Sequence, residues 1–234
     1  MNLCLRNAFL TTVLAMSSVV IAAPLTLTKL TGVTGGTVAN TAVFRADLAS
    51  AGLGTFQSIT ISDNSIGLGG AAGQFSGFDL DAILVSNQLC ETAACVGGLT
   101  GLSIFNFSSA GTVFTPGGQR APTDPKLFGT DASGTGIDNL IATLGLFDGE
   151  STTASPDGFL SMGDNGVLSF NFASALSTSG LFLYFGEVGD NGEALAGSIT
   201  ISGSPVGIPE PSGLALVVAA LVAAAAARRR RIGR

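Results

Sequence analysis

Asp79 and Asp81 are the two side chains of this sequence whose type and spacing most suggest chemistry. They lie in an alternating segment, residues 78–85, that is typical of a β-strand, so both carboxylates should project from one face. Such a pair suits a hard cation such as Ca²⁺, with carbonyl oxygens completing the ligand shell. Solvated surface acids remain the favoured interpretation, because no complete calcium loop with a terminal bidentate Glu is present. Further oxygen ligands for such cations could come from Asp164, Asn165, Asp190 and Asn191.

The same two aspartates could serve a carboxylate-based hydrolase, which needs two carboxyl groups about 5 Å or more apart across the scissile bond. The spacing allows that distance, but the sequence indicates no cleft and contains no Trp to stack on a sugar ring. It also contains no His, which excludes Ser–His–Asp and Cys–His catalysis and His-ligated zinc. The secreted hydrolase is therefore the weaker alternative to a non-enzymatic protein, and we expect neither catalytic residues nor a resident cofactor.

Cys90 and Cys95 are the one cysteine pair outside the apparent leader, which holds Cys4. Four intervening residues close a small loop, and an exported compartment permits disulfides. We therefore predict a structural disulfide between them. A catalytic dithiol is the alternative, but such a dithiol more typically has two intervening residues.

Residues 1–22 have the features of a secretory signal peptide. Arg6 supplies a positive charge, residues 8–21 are apolar and uncharged, and small residues follow at Ala22 and Ala23. Cleavage after Ala22 is expected, because a cut one residue later would place Pro24 directly after the scissile bond. Signal peptidase and the secretion machinery are the partners that this leader implies.

The last 26 residues, 209–234, contain three features in a fixed order. Pro209, Glu210 and Pro211 come first, and their two prolines cannot propagate a helix, so this motif should stay extended. A charge-free stretch follows; from Pro211 to Ala227 its 17 residues would span about 25 Å as a helix, near the lower limit for crossing a bilayer. The positive-inside rule then predicts that the following arginines stay cytoplasmic. These arginines are Arg228, Arg229, Arg230 and Arg231, with Arg234 at the end.

This tail resembles the PEP-CTERM sorting domain, which is also known as a C-terminal domain of ice-binding proteins, a label that says nothing about what this body binds. In that family an exosortase, a membrane cysteine transpeptidase, recognises the Pro-Glu-Pro motif and cleaves near it. The resemblance implies a precursor tethered transiently in the inner membrane by residues 212–227, with the Arg-rich end at 228–234. It also implies final delivery to the cell surface or to an exopolysaccharide-associated matrix. A plain membrane anchor is the alternative.

The body between these ends, residues 23–208, is strongly acidic. Between Pro24 and Ile208 four bases face 15 carboxylates, which gives a formal charge of −11. Such a charge repels phosphate backbones and anionic membrane surfaces, so nucleic acid is not an expected partner. Divalent cations and neutral extracellular polysaccharide remain compatible, and a Ca²⁺- or carbohydrate-binding adhesion module is the alternative to a structural surface protein.

Period-two alternation and frequent turn residues predict an all-β body, an antiparallel sandwich or jelly roll. The predicted strands are residues 25–28, 41–48, 56–61, 78–85, 102–107, 167–172, 181–185 and 198–202. One amphipathic helix is expected at 137–144 and a long surface loop at 115–136. The sequence Ser-Ile-Thr-Ile-Ser occurs at 58–62 and again at 198–202, and Gly-Asp-Asn-Gly occurs at 163–166 and 189–192. The second repeat predicts β-hairpin turns.

Overall fold

A computed structural model describes residues 22–64, 71–193 and 197–207 of the chain. Its strands are β1 (Ala22–Pro24), β2 (Thr28–Thr34), β3 (Thr41–Asp47), β4 (Thr55–Ser62), β5 (Asp79–Ser86), β6 (Thr112–Thr115), β7 (Leu160–Ser161), β8 (Val167–Ser177), β9 (Phe182–Val188) and β10 (Ser198–Ser202). An α-helix, α1 (Ala93–Gly97), follows β5, and 3-10 turns lie at Leu48–Ala51 and Gly73–Phe75.

The strands form two five-stranded sheets in which neighbouring strands pair antiparallel. Sheet A has the order β1-β10-β4-β8-β6, and sheet B has the order β2-β3-β9-β5-β7. Apolar side chains from both sheets share one core, in which Phe44 and Phe185 of sheet B stack with centroids 5.3 Å apart. Phe170 and Ile59 of sheet A are buried in the same core. The predicted all-β, antiparallel class is confirmed.

The Ser-Ile-Thr-Ile-Ser repeat pairs with itself. Strand β10 lies antiparallel to β4, with Ser198 opposite Ser62 and Ser202 opposite Ser58. The isoleucines of both copies are buried in the core. Since side chains alternate across a strand, the Ser and Thr residues occupy the outer face of sheet A. The repeat therefore encodes two neighbouring strands with the same division between core and surface.

The predicted strand at 102–107 is wrong, because its apolar residues belong to a loop that closes one side of the core. Phe105 and Phe107 stack with centroids 5.6 Å apart. Phe105 also meets Phe170 edge-on at 5.3 Å. The strand that pairs with β8 is β6, further along the chain. Phe105 and Phe107 alternate in sequence because both pack against the core from a loop, and this spacing resembles that of a strand.

The predicted helix at 137–144 is also wrong. Ala142 and Leu144 reach the core, but Leu140 is 88% exposed and Thr143 has a φ of +41°. The amide of Ile83 in β5 donates to the Leu144 carbonyl at 2.9 Å. A series of turns therefore brings these apolar residues to the core, and the segment packs against sheet B without forming a helix. The predicted surface loop at 115–136 belongs to the same long connection, which runs from β6 to β7.

The two Gly-Asp-Asn-Gly turns do not close hairpins, contrary to the prediction. The first leads from β7 in sheet B to β8 in sheet A, and the second follows β9 in sheet B and precedes β10 in sheet A. Asn165 has a φ of +65° but the following Gly166 does not have a positive φ, and Gly192 has a φ of +91° but the preceding Asn191 does not. The two consecutive positive φ angles expected at each Asn-Gly are therefore found in neither turn. Each turn instead carries the chain from sheet B to sheet A. The alternation of apolar and polar residues within the strands does not indicate such a change of sheet.

Candidate functional site

The sorting motif Pro209-Glu210-Pro211, the apolar stretch 212–227, the arginines Arg228 to Arg231 and leader residues 1–21 lie outside the described residues. Within the described ranges, no helix has both the length and the apolar character needed to cross a membrane. The candidate site residues that the structure describes therefore all lie in the body.

Asp79 and Asp81 lie on the outer face of β5, on the opposite side from the core residues Phe78 and Leu80. Both are buried, at 6% and 0% exposure. The favoured expectation of solvated acids is therefore wrong for both. The cause is the connection from β6 to β7, which folds over this face of sheet B and which no local sequence pattern indicates.

Asp81 accepts two hydrogen bonds. The Thr41 hydroxyl donates to one carboxyl oxygen at 2.6 Å, and the Gly149 amide donates to the other at 2.9 Å. Burial raises the pKa of Asp81 to about 7. The same carboxyl is hydrogen-bonded to that of Asp148, whose pKa burial also raises. Of the two acids, only Asp81 is fully buried; Asp148 lies at the surface.

The outer face beside Asp81 has no room for another side chain. A Cβ on Gly186 of β9 would lie 2.5 Å from Cγ2 of Thr41 and 3.1 Å from Cβ of Asp81. The pairing of β5 with β9 is irregular between Leu80 and Ile83, which marks a bulge at Asp81. The bulge and the glycine together hold this carboxyl inside the protein.

Asp79 has a different set of neighbours. The buried hydroxyl of Ser161 in β7 donates to its carboxylate. Burial raises its pKa well above the ordinary value, and the charges of Glu193 and Glu187 raise it further, while Arg120 opposes them.

An acid cluster surrounds the guanidinium of Arg120. Nε donates to Asp164 at 3.1 Å, and Nη2 donates to Glu193 at 3.3 Å. The Glu193 amide donates to Glu187 at 2.8 Å. Burial raises the pKa of Glu193 to about 7, against the opposing bond from Arg120. This cluster links the two Gly-Asp-Asn-Gly turns, since Asp164 lies in the first and Glu193 directly follows the second.

The predicted ligands therefore do not converge on one cation. Asp79 and Asp164 both belong to the surroundings of Arg120, whereas Asp81 pairs with Asp148 and Asp190 pairs with Lys29 at the surface. No group of three or more acidic or Cys side chains within the described ranges is arranged to hold a metal ion. The Ca²⁺ hypothesis stays a prediction.

No sequence pattern indicated that Glu187, Glu193 and Asp148 would accompany these aspartates. The low number of bases in the body gives no information about which acids Arg120 contacts. Their association depends on the change of sheet after β9 and on the docking of the β6–β7 connection. Neither leaves a local signal.

An open depression of about 270 Å³ lies on the outer side of sheet B. Asp79 and Glu150 both line it, together with Phe75, Phe159 and Asn191. Burial raises the pKa of Glu150 as it does for Asp79. The carboxyl of Asp79 already accepts from Ser161, so this acid has a partner within the protein.

A second covered region on sheet B contains the cysteines. Cys90 and Cys95 are joined by a disulfide, with their Cα atoms 5.6 Å apart. The Thr92 hydroxyl caps α1 by accepting from the Cys95 amide at 3.2 Å. Tyr184 of β9 accepts from the Cys90 amide and donates to the Gln88 carbonyl, both at 2.8 Å. Arg45 of β3 also donates to the Cys90 carbonyl at 2.8 Å, so Tyr184 and Arg45 both fasten the disulfide loop to the sheet.

Replacing Tyr184 with Phe should destabilise the protein by about 1–3 kcal/mol, because the buried amide of Cys90 would lose its acceptor. Thermal unfolding under non-reducing conditions measures this. The matched control is Ser133→Ala, which removes an exposed hydroxyl in the β6–β7 connection and should shift the melting temperature much less. An unchanged melting temperature for Tyr184→Phe would contradict the role of the phenol.

Comparison with protein-family models, curated proteins and solved structures finds no match to this chain.

Proposed function

We propose that the chain is an exported, non-enzymatic surface or extracellular-matrix protein that is sorted through its C-terminal tail. The observation that carries this proposal is the order of features after the body: Pro209-Glu210-Pro211, a charge-free stretch, and four consecutive arginines. The last described residue of the body, Gly207, lies two positions before this motif. In this proposal the body is the part displayed outside the cell, and the tail is the sorting signal.

The tail would act in two stages. Residues 212–227 would first form a membrane-spanning helix that stops translocation, with Arg228 to Arg231 on the cytoplasmic side. An exosortase would then recognise the motif and release the body to the cell surface or to an exopolysaccharide-associated matrix. The membrane is thus a transient partner, and the processing enzyme is the specific one.

The position of β1 supports removal of the leader. This edge strand of sheet A starts at Ala22 and pairs Ala23 with Ile201 of β10. A cut after Ala22 would remove the pairing of Ala22 with Ser202 but keep those of Ala23 and Pro24, so the new N-terminus would lie at the edge of a sheet. Signal peptidase could therefore act without disturbing the shared core.

The surroundings of Asp79 and Asp81 do not favour an adhesion or hydrolase function over this proposal. Both residues are buried, and each already accepts a hydrogen bond from a protein hydroxyl. Binding a cation or a sugar would therefore require each carboxyl to exchange these partners first.

Export can be tested with the disulfide as a reporter, since an oxidising compartment is needed to form it. In the full chain, thiol labelling of Cys90 and Cys95 after denaturation without reductant should detect neither. Deleting residues 2–22 should retain the protein in the cytoplasm and make both thiols reactive. The control is the same deletion followed by refolding with an oxidant, which should restore protection. Equal, quantitative labelling of the full chain and the deletion variant would reject export.

A further inference from the structure

The chain does not leave the body freely after β10. Residues 203–207, here called the exit segment, run across the outer face of sheet A. The Ser58 hydroxyl donates to the Ser204 carbonyl at 2.8 Å. The Ser204 amide in turn donates to the Ser202 hydroxyl at 3.2 Å. The segment that leads to the sorting motif is therefore attached to the sheet.

Asn171 makes the firmest attachment. Its side-chain amide donates to the Val206 carbonyl at 3.0 Å, and its side-chain oxygen accepts from the Val206 amide at 2.8 Å. One amide side chain thus satisfies both backbone groups of Val206, as a neighbouring strand would. Asn is depleted in β-strands, so this contact gives a reason for its place within β8.

The three attaching side chains form one row across three strands. Ser202 of β10 lies opposite Ser58 of β4, which lies opposite Asn171 of β8. Two strand spacings make this row about 10 Å long. The four residue steps from Ser202 to Val206 reach about 13 Å when extended, enough to follow the row. We call the row and the exit segment together the exit clamp.

The exit clamp bears directly on the sorting motif, because Pro209 is three positions after Val206. Three residues reach at most about 10 Å, so a closed clamp leaves at most that length of chain between Val206 and the start of the motif. A peptide-cleaving enzyme binds an extended segment on both sides of the bond it cuts. With the clamp closed, the residues before the motif are already bound to the body.

We infer that the exit clamp gates processing: the exosortase of the proposed function acts on the motif after residues 203–207 detach from Ser58 and Asn171. This inference rests on the proposed function and adds regulation to it. Local opening of a surface segment held by few hydrogen bonds is an ordinary fluctuation of a folded protein. The rate of processing then follows the fraction of molecules in which the clamp is open.

The test follows conversion of the labelled full-length precursor in a host that carries the processing enzyme. Asn171→Ala removes two hydrogen bonds and should speed conversion about tenfold. Ser58→Ala removes one and should speed it about threefold. Thr60→Ala is the matched control, since this residue lies on the same outer face but bonds to Ser169 at 2.8 Å. It should convert at the wild-type rate.

A variant with a spacer after the clamp distinguishes opening of the clamp from a general loss of stability as the cause of faster conversion. Inserting about six Gly and Ser residues after Gly207 leaves the clamp intact but supplies the slack that its opening would provide. The spacer variant should convert faster than wild type, and Asn171→Ala should then add nothing. If Asn171→Ala converts no faster than wild type, or accelerates the spacer variant equally, the gate is overturned.

Two further measurements keep the two proposals distinguishable. Hydrogen exchange of the purified full-length precursor in detergent should show protection of residues 203–207 that Asn171→Ala removes, and equal exchange in both would overturn the clamp itself. Replacing the motif with three alanines should stop conversion in every background. Normal conversion of that variant would reject the proposed motif recognition. The ratio of the conversion rates of Asn171→Ala and wild type would still show whether the clamp limits processing.

Discussion

A chain in which Pro209-Glu210-Pro211 is replaced with Ala-Ala-Ala is expected to accumulate as a full-length precursor in the inner membrane. The apolar length and the arginines that fix topology would be unchanged, so the leader would still be removed and the body exported. Only the group that the processing enzyme recognises would be lost. The expected effect is near-complete loss of the processed form, measured by the mass and membrane fraction of the body.

Removal of Arg228 to Arg231 provides the contrasting variant. It leaves the motif intact but takes away the charges that resist translocation, so retention and orientation before cleavage should weaken. The processed form should therefore still appear, in reduced amount. If the triple-alanine variant is processed like wild type, the tail is a simple membrane anchor.

The second large effect is a fall in stability as the pH rises from about 5 to about 8. Burial raises the pKa of Asp81 and Glu193 to about 7 and the pKa of Asp79 well above its ordinary value. Between about pH 4 and these raised values, the folded state binds more protons than the unfolded state, so the free energy of unfolding decreases with pH. We expect a loss of about 3 kcal/mol, or a melting temperature lower by roughly 6–12 °C.

Asp81→Asn tests the origin of this slope. An amide side chain can hydrogen-bond to its neighbours as the protonated acid does, but it does not ionise. The variant should match wild type near pH 5 and be more stable by about 1–2 kcal/mol at about pH 8. Glu91→Gln is the control, because the Glu91 side chain is 68% exposed and its neutralisation should leave the slope unchanged. A wild-type slope in Asp81→Asn would show that this carboxyl does not titrate as a buried group.

Strands with strict alternation and one buried face could be predicted from the sequence. The prediction at 198–202 matches β10, and the prediction at 41–48 matches β3 to within one residue. In both, one set of side chains enters the shared core, so the local pattern and the tertiary environment agree. The predicted strand at 25–28 is wrong, because residues 25–27 alternate but connect β1 to β2. In two further elements the pattern and the environment disagree: Phe105 alternates in a loop, and Leu144 reaches the core from a turn.

The buried acids could not be predicted for a different reason. Asp81 has the sequence surroundings of an exposed strand position, and its burial comes from Asp148 and Gly149, which follow it by more than 60 residues. Likewise, Arg120 meets Asp164 and Glu193 only because two turns carry the chain from sheet B to sheet A. The exit clamp is equally non-local, since Asn171 and Val206 are 35 positions apart.

Intact-mass analysis of the protein recovered from cells tests the central claim most directly. The account predicts a body that starts at Ala23, ends near Pro209-Glu210-Pro211, is two hydrogens lighter than its reduced form because of the Cys90–Cys95 disulfide, and carries whatever group the transfer adds. A mass equal to that of the complete 234-residue chain, in cells that contain the processing enzyme, would contradict both export through the leader and sorting through the tail.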